Sequence, residues 1–349
     1  MSATAPTTLT DVARHAGVSR ATVSLVLRDS PLVAVGTQLR VREAVAAVGY
    51  VYNRGAATMR GTGTKTVGLL VTEIDNPFFA ELTAGVSGAL DIAGYIPFLA
   101  TTEESVARQD RAVQRLREHH VDGLILCPSM ETRPGWIAGL TERGVRLVQV
   151  MRFVKDSIGD FAGPANEAGM EALTEHLIGL GHRRIAFAGA AVMHSGLRQR
   201  MAGVRAALRR HGLPAPLVLR TAHTRAGGAE AAGRLCALPD RPTAMMCCND
   251  VVAFGAMQAL HERGLTVGRD VAVTGIGDVP EAAACLPGLT TLATNPRGIG
   301  QEAVRLLLRR IAAPRATPEH VALPVRLVVR GSSGANRHAG ELRCGGGSS

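Results

Sequence analysis

The sequence predicts a small all-α unit followed by an α/β core built on two doubly wound parallel sheets. Three observations carry this. Residues 9 to about 52 read as short helices joined by tight turns. Residues 66 to about 330 alternate short apolar runs with amphipathic stretches. Most of those runs are nearly continuous in apolar residues, as strands buried on both faces are, and their alternation with helices is the pattern of βαβ crossovers. Ligands of such sheets lie beyond the carboxyl ends of the strands, so two lobes sharing one cleft are expected.

The expected strands are TVGLLV (66–71), IPFLAT (96–101), VDGLILCP (121–128), VRLVQVM (145–151), RIAFAG (184–189), TAMMCC (243–248) and VAVTGIG (271–277). At least seven strands suit two sheets better than one. Between them, AELTAGVSGALDIAG and RQDRAVQRLREHH carry helical periodicity. The tail from residue 334 to 349 is rich in Gly and Ser and is expected to be disordered.

With 349 residues the chain is long enough for two or three domains. Only 3% of it is aromatic, so the cores must be built mainly from Ala, Val, Leu and Ile. The net charge of +10 favours a polyanionic partner, although it bears on association rather than fold. No run of 18 unbroken apolar residues occurs, and the first 20 residues contain Asp11 before any apolar run. Neither a membrane span nor a secretory leader is therefore expected. The six cysteines form no C-x-x-C pair and sit mostly in apolar surroundings, as reduced core residues of a cytoplasmic protein do.

In LTDVARHAGVS, Thr10 is expected to cap a helix from Asp11 to about Ala16, with Asp11 suited to the helix dipole. Gly17 allows a left-handed turn, and Ser19 caps a second helix from about Arg20 to Leu27. Two short helices joined in this way form a helix-turn-helix, whose second helix enters the DNA major groove amino-terminal end first. Arg20, Ala21 and Leu25 would then meet base edges, with Ser19, Thr22 and Ser24 free for phosphates or bases. Any αα-hairpin shares this pattern, but residues 1–60 carry seven arginines against three acids, a density that supports DNA. A third helix from roughly Thr37 to Val48 has Leu39, Val41, Val45 and Val48 for its core face. Beyond it, Asn53 can cap a short helix before the Gly-rich GTGTK segment.

The chain resembles the lactose-repressor (LacI) family of bacterial transcription regulators. The resemblance rests on TLTDVARHAGVSRATVSLVL, GYVYNRGAATMR, DNPFFAEL, VDGLILCP, HLIGLGHRRIAF, RQRMAGV, CNDVVAFGAMQAL, LTTLATN and VRLVVRGSS, in that order over residues 9 to 333. It implies a helix-turn-helix domain at 9–52, a hinge helix and linker at 53–65, and a two-lobed core like that of periplasmic binding proteins. One lobe would take 66–163 and 293–322, the other 164–292 and 323–333. It further implies a homodimer on a pseudo-palindromic operator of double-stranded DNA, repression governed by a small-molecule effector, and no cofactor. The DNA face would include Thr10, Arg28, Tyr50, Asn53, Arg54 and Ala56 besides the recognition helix. Met59 stands where the family wedges a leucine into the central base step. Long members carry a carboxy-terminal leucine heptad for tetramers, and its absence from 334–349 favours a dimer.

The same resemblance maps effector contacts onto Asn76, Phe78, Phe79, Cys127, Met151, Arg200, His223, Asn249, Gly277 and Thr294. Arg200 offers a rigid fork of donors, and Asn249 a donor and an acceptor together. Phe78 and Phe79 are suited to stacking on a sugar face or planar ring, or to plugging the space between lobes. Two positions that are commonly acidic read Met151 and Gly277 here, with Asp278 next door. Fewer carboxylates beside an intact arginine lean toward a less hydroxylated or anionic ligand.

Other signals carry less. GTGTKT has Thr64 before Lys65 and fails the phosphate-loop pattern, and GVSGA lacks the second glycine of a nucleophile elbow. His119, His120, His176 and His182 lack metal-ligand spacing. No acid/base pair or nucleophile constellation emerges, so neither catalytic nor metal residues are expected. The competing readings are a cytosolic two-lobed solute-binding protein without DNA and a sugar-modifying enzyme.

Overall fold

The computed structural model describes residues 7–28, 30–51, 63–155 and 159–334. The chain divides into two units, Met1–Thr64 and Lys65–Ser349.

The first unit holds α1 (Leu9–Ala16), α2 (Arg20–Val26) and α3 (Val35–Val48) around Val12, Ala13, Val23, Val26, Val41 and Ala44. Helix α1 starts earlier than expected. Asp11 reaches back to accept from the Thr8 amide at 3.0 Å and from its hydroxyl at 2.7 Å. Thr8 is therefore the cap, and Thr10 lies exposed in the first turn. Gly17 takes φ 65°, and its amide closes the helix end. Helix α3 also begins early, at Val35, behind Ala34, which has no side-chain oxygen to cap with. Leu39, expected in the core, is 57% exposed, because Val41 and Ala44 set the buried face of α3.

The second unit contains two six-stranded sheets. The first runs β11-β5-β4-β3-β1-β2 and is parallel throughout, with β1 (Thr66–Val71), β2 (Ile96–Thr101), β3 (Gly123–Leu126), β4 (Leu147–Val150), β5 (Asp160–Pro164) and β11 (His320–Leu323). The second runs β12-β10-β9-β8-β6-β7 over β6 (Ile185–Ala188), β7 (Leu217–Leu219), β8 (Ala244–Cys247), β9 (Ala272–Gly277), β10 (Thr290–Ala293) and β12 (Arg326–Val328). Only β12 is antiparallel there, against β10. The chain passes from the first sheet to the second after β5, returns after β10, and crosses again between β11 and β12.

Helices cover both faces of the first sheet. Val67, Leu69 and Val71 of β1 pack with α4 (Pro77–Ile92) and α12 (Pro296–Ala312). Leu70 points the other way, toward α5 (Val106–Glu118) and α6 (Trp136–Glu142). Helices α4 and α12 touch backbone to backbone: a Cβ on Gly85 would lie 2.3 Å from the Arg297 carbonyl oxygen. The second sheet shares one core with α7 (Asn166–Gly179), α8 (Ser195–Arg210), α9 (Arg225–Cys236) and α10 (Asp250–Glu262). A short α11 (Pro280–Ala284) follows β9.

The apolar run at 96–101 forms a strand but not a buried one. It lies at the sheet edge, where Ile96 is 63% and Leu99 46% exposed. Among the described residues, no helix is long and apolar enough to cross a membrane.

Candidate functional site

A cavity of about 800 Å³, mouth included, opens between the two sheets of the second unit. Its walls are the segments that leave the carboxyl ends of β1, β3, β4, β8, β9 and β10, the position from which open α/β sheets bind ligands. Asn76, Phe78, Phe79, Cys127, Met151, Arg200, His223, Asn249, Gly277 and Thr294 all line it. Asp278 does not. Its backbone takes φ 56° just past the strand, and its carboxylate accepts from Arg330 Nη2 at 2.8 Å. Adjacency to Gly277 in sequence thus sends Asp278 away from the cavity toward a charge 52 residues further on.

Asn76 and Asn249 are helix caps first. Asn76 Oδ1 accepts from the Phe78 amide at 3.1 Å, and Asn249 Oδ1 accepts from the Val252 amide at 2.8 Å. Asn249 thus shares its oxygen with the helix end, with one lone pair and its amide donors left to face the cavity. Phe78 and Phe79 meet edge to face at 5.5 Å. Phe78 packs against the cores of both lobes and Phe79 against the first only, so Phe78 also fills the space between lobes. Met151 holds φ 65°, a conformation sparsely used by residues other than glycine, and its amide donates to Ala162 at 3.0 Å.

Arg200 is the best-anchored donor among the expected contacts. Its Nε donates to Asn166 Oδ1 at 2.8 Å and its Nη1 to the Cys248 carbonyl at 2.6 Å. Asp250, at the start of α10, accepts from the Thr291 hydroxyl at 2.6 Å and the Val279 amide at 3.0 Å. Burial nevertheless pushes its carboxyl up to about 6. The Thr294 side chain is 1% exposed, and its hydroxyl has no partner among the described residues.

Six polar residues of the wall, Thr72, Glu73, Glu104, Arg152, His194 and Asp250, lie outside the sequence reading, and four of them hold loops. Glu73 follows β1, Glu104 follows β2, Arg152 follows Met151, and His194 caps α8 by accepting from the Leu197 amide at 3.3 Å. Their signal was position alone, one to three residues beyond a strand or before a helix. Arg152 is 7% exposed and donates to the Pro128 carbonyl at 2.6 Å and to Glu104 at 2.5 Å. Burial, and then Glu104 and Asp75, hold the Glu73 carboxyl above its ordinary value. His194 and His223 stand 6.0 Å apart, ring to ring. Burial pushes His194 down to about 2 and His223 to about 4, with Arg152 and Arg200 adding to both. Both rings are neutral at ordinary pH. Burial likewise lifts the Cys127 thiol to about 11, so it lines the cavity as a neutral group.

The lobes are stitched beside this cavity, where the Phe153 amide donates to Ser195 Oγ at 2.8 Å. Among the described residues, no group of three or more His, Cys, Asp or Glu could hold a metal ion.

In the first unit, Ser19 caps α2 by accepting from the Thr22 amide at 3.1 Å, and the two hydroxyls lie 2.9 Å apart. Arg20 and Ala21 are exposed, while Ser24 and Leu25 are half-buried. Arg28 is exposed but tethered, with Nε donating to the Ser24 carbonyl at 2.9 Å. Tyr50 packs against the core of this unit. Asn53, Arg54, Ala56 and Met59, and with them the expected hinge helix, lie outside the described residues, as does the tail beyond Gly334.

Residues 8–53 match the model of the bacterial regulatory proteins, lacI family, and residues 174–333 match that of a periplasmic binding protein-like domain. Over 328 residues the chain is 32% identical to the ribose operon repressor of Escherichia coli, covering 93% of this chain and 99% of that protein. The chain belongs to the lacI family. A second relative, the transcriptional regulator MalR of Streptomyces coelicolor, is 35% identical over 342 residues, 94% of this chain and 96% of its own. Among solved structures, the lac repressor dimer bound to operator and the anti-inducer ONPF is similar with a TM-score of 0.84 and 29% identity, covering 95% of this chain and all of that one. As a lacI-family chain it carries α1 and α2 within the regulatory match. Arg200, His223, Asn249, Gly277 and Thr294 fall within the binding-protein match.

Proposed function

We propose that this protein is a cytoplasmic transcriptional repressor, without enzymatic activity, that binds operator DNA as a dimer and takes a small-molecule effector in the inter-lobe cavity. The observation that carries the reading is the pairing, in one lacI-family chain, of a Ser19-capped helix exposing Arg20 and Ala21 with a walled cavity at the strand ends of two sheets. A helix-turn-helix presents the first residues of its second helix to base edges, and Arg20 is suited to guanine O6 and N7. Ser19, Thr22, Ser24, Arg28 and Thr10 supply phosphate and sugar contacts in this reading, and Leu25 an apolar contact.

On the effector side, Arg200 and Asn249 donate from the second lobe and Thr294 from the crossing after β10, and Phe79 and Met151 give an apolar floor from the first. Ligand closure of the lobes would change operator affinity by about 5–150-fold, the range of ordinary allosteric coupling. The relatives are named as an operon repressor and as a transcriptional regulator, which supports the DNA-binding side of this reading.

Selection of bound duplexes from a random pool, repeated with sugars, sugar acids and purines, tests the reading. The expected result is a palindromic consensus whose enrichment one ligand class alters. Binding without any sequence preference, or unchanged when residues 1–60 are removed, would overturn it.

A further inference from the structure

Helix α2 has one face fixed by the core and one left over. Val23 and Val26 are buried at the centre of the first unit, and Leu27 packs against that core. The opposite side runs through Arg20, Ala21, Ser24, Leu25 and Arg28, which lie one above another at helical spacing. Arg20, Ala21 and Arg28 are exposed, and Leu25 is half-buried without joining the core that Leu27 touches. The Thr22 hydroxyl is turned to Ser19 Oγ, 2.9 Å away.

The chemistry of this face is narrow. From Ser19 to Arg28 there is no Asp, Glu, Asn, Gln or His. In the major groove, adenine is read by a bidentate Asn or Gln, cytosine N4 by a carboxylate, and guanine by Arg or Lys. Arg20 can take a guanine, but α2 holds neither the amide that selects adenine nor the acid that selects cytosine. Ser24 can pair with any of these edges and so discriminates little. Thymine is left, because its C5 methyl is recognised by apolar contact.

Ala21 and Leu25, four residues apart, place their Cβ atoms about 5–6 Å from each other and form an apolar pair beside Arg20. Set against a G·C edge, the pair would strip water from polar groups and return no hydrogen bond. Set against methyl groups, it removes apolar surface from water on both sides. One helical turn, about 5.4 Å, spans one to two base steps of about 3.4 Å. We infer that Ala21 and Leu25 are specificity residues that read thymine methyls, so that each operator half-site holds two A·T pairs within two steps of each other, beside the guanine met by Arg20. The inference rests on the DNA-binding reading of α2 and adds which bases that helix selects.

A deoxyuridine scan of the duplex selected from a random pool tests it with the full chain. Replacing one thymine at a time by deoxyuridine removes the methyl and leaves every hydrogen-bonding group in place. At two positions in each half-site the replacement should weaken binding about fourfold, the worth of one buried methyl, and at the other thymines by less than about twofold. Leu25→Ala should abolish the penalty at one of these positions and Ala21→Ser at the other, whereas Leu25→Met should retain it. Thermal melts show whether each variant folds, and the scan of the unaltered chain decides the matter of the methyls by itself. A scan in which no thymine matters, penalties that survive both Leu25→Ala and Ala21→Ser, or a consensus without A·T pairs beside the guanine would each overturn the inference. The DNA-binding reading fails separately, if the pool yields no consensus at all.

Discussion

Arg152 and Glu104 form an ion pair at the cavity wall, Nη2 to Oε1 at 2.5 Å, with the arginine side chain 8% and the glutamate 25% exposed. Neither residue belongs to a regular element: Arg152 follows β4, and Glu104 follows β2 in a backbone with φ 56°. The pair fixes two strand-end loops to each other, and the walls of the cavity depend on those loops.

Removing the acid should therefore cost more than a surface ion pair would. Glu104→Ala leaves the Arg152 guanidinium buried with the Pro128 carbonyl as its remaining oxygen acceptor among the described residues. We expect a loss of about 2–3 kcal/mol, under the roughly 3–5 of a fully buried pair because Glu104 is partly wet. Urea unfolding monitored on the second unit checks this. A change under about 0.5 kcal/mol would mean that water already screens the pair.

Helix α3 offers a gain. Its cap position, Ala34, has an extended ψ of 141° but no side-chain oxygen, and the helix has no acid in its first turn. Ala34→Ser should accept one of the orphan amides and stabilise the first unit by about 1 kcal/mol. Slower hydrogen exchange at the amides of Val35 to Gln38 in the full chain would report it.

Stability should fall in mild acid, and His223 should account for a measurable part. Burial, then Arg200 and Arg152, hold His223 near 4 in the folded chain, against 6.5 for an ordinary histidine. The folded state then binds fewer protons than the unfolded one. Its stability contribution is complete above 6.5 and is lost as pH falls toward about 4. His194, pushed to about 2 by burial and then Arg152 and Arg200, acts in the same direction over a longer span. Asp250, raised to about 6 by burial, acts oppositely between 3.8 and 6, and the raised carboxyl of Glu73 does so as well. His223→Asn isolates one contribution. Between about pH 7 and about pH 5 the variant should lose about 1–2 kcal/mol less than the parent chain, by urea unfolding at the two pH values.

How far the sequence could be read follows from what each segment buries. The runs that became β1, β3, β4, β6, β8 and β9 are buried along nearly their whole length and are nearly continuous in apolar residues. Strands β7, β11 and β12 lie at sheet edges, hold three or four residues each and are partly exposed, so the apolar runs that mark them are too short to stand out. Strand β5, DFAGP, is buried but begins with Asp160, which Arg309 and Arg310 neutralise from α12 about 150 residues away. That partner is invisible to local pattern. The cavity wall divides in the same way. Ten of its residues were reached through the family resemblance, seven of them inside its motifs, whereas Glu73, Glu104, Arg152 and His194 owe their place to loops that pattern does not describe. Asp278 was misplaced for the complementary reason, a distant arginine that turns it outward.

The recognition helix separates two kinds of arginine. Arg20 opens α2 with no hydrogen-bond partner among the described residues, whereas Arg28 is tied to the Ser24 carbonyl one turn back. On the proposed DNA-binding reading, a free fork at the amino-terminal end of α2 is placed to read a base, and a tethered one just past Val26 to meet a phosphate. Arg20→Ala should weaken binding to the selected operator by about 1–3 kcal/mol and relax preference at a single base position in each half-site. Arg28→Ala should instead weaken matched and mismatched sites alike and lower the salt dependence of binding by about one counterion per subunit. Equilibrium binding to the consensus and to single-base variants, at several salt concentrations, separates the two. If Arg20→Ala reduced all sites equally and kept every base preference, sequence reading would have to pass to Ala21 and Leu25, and Arg20 would join the phosphate contacts.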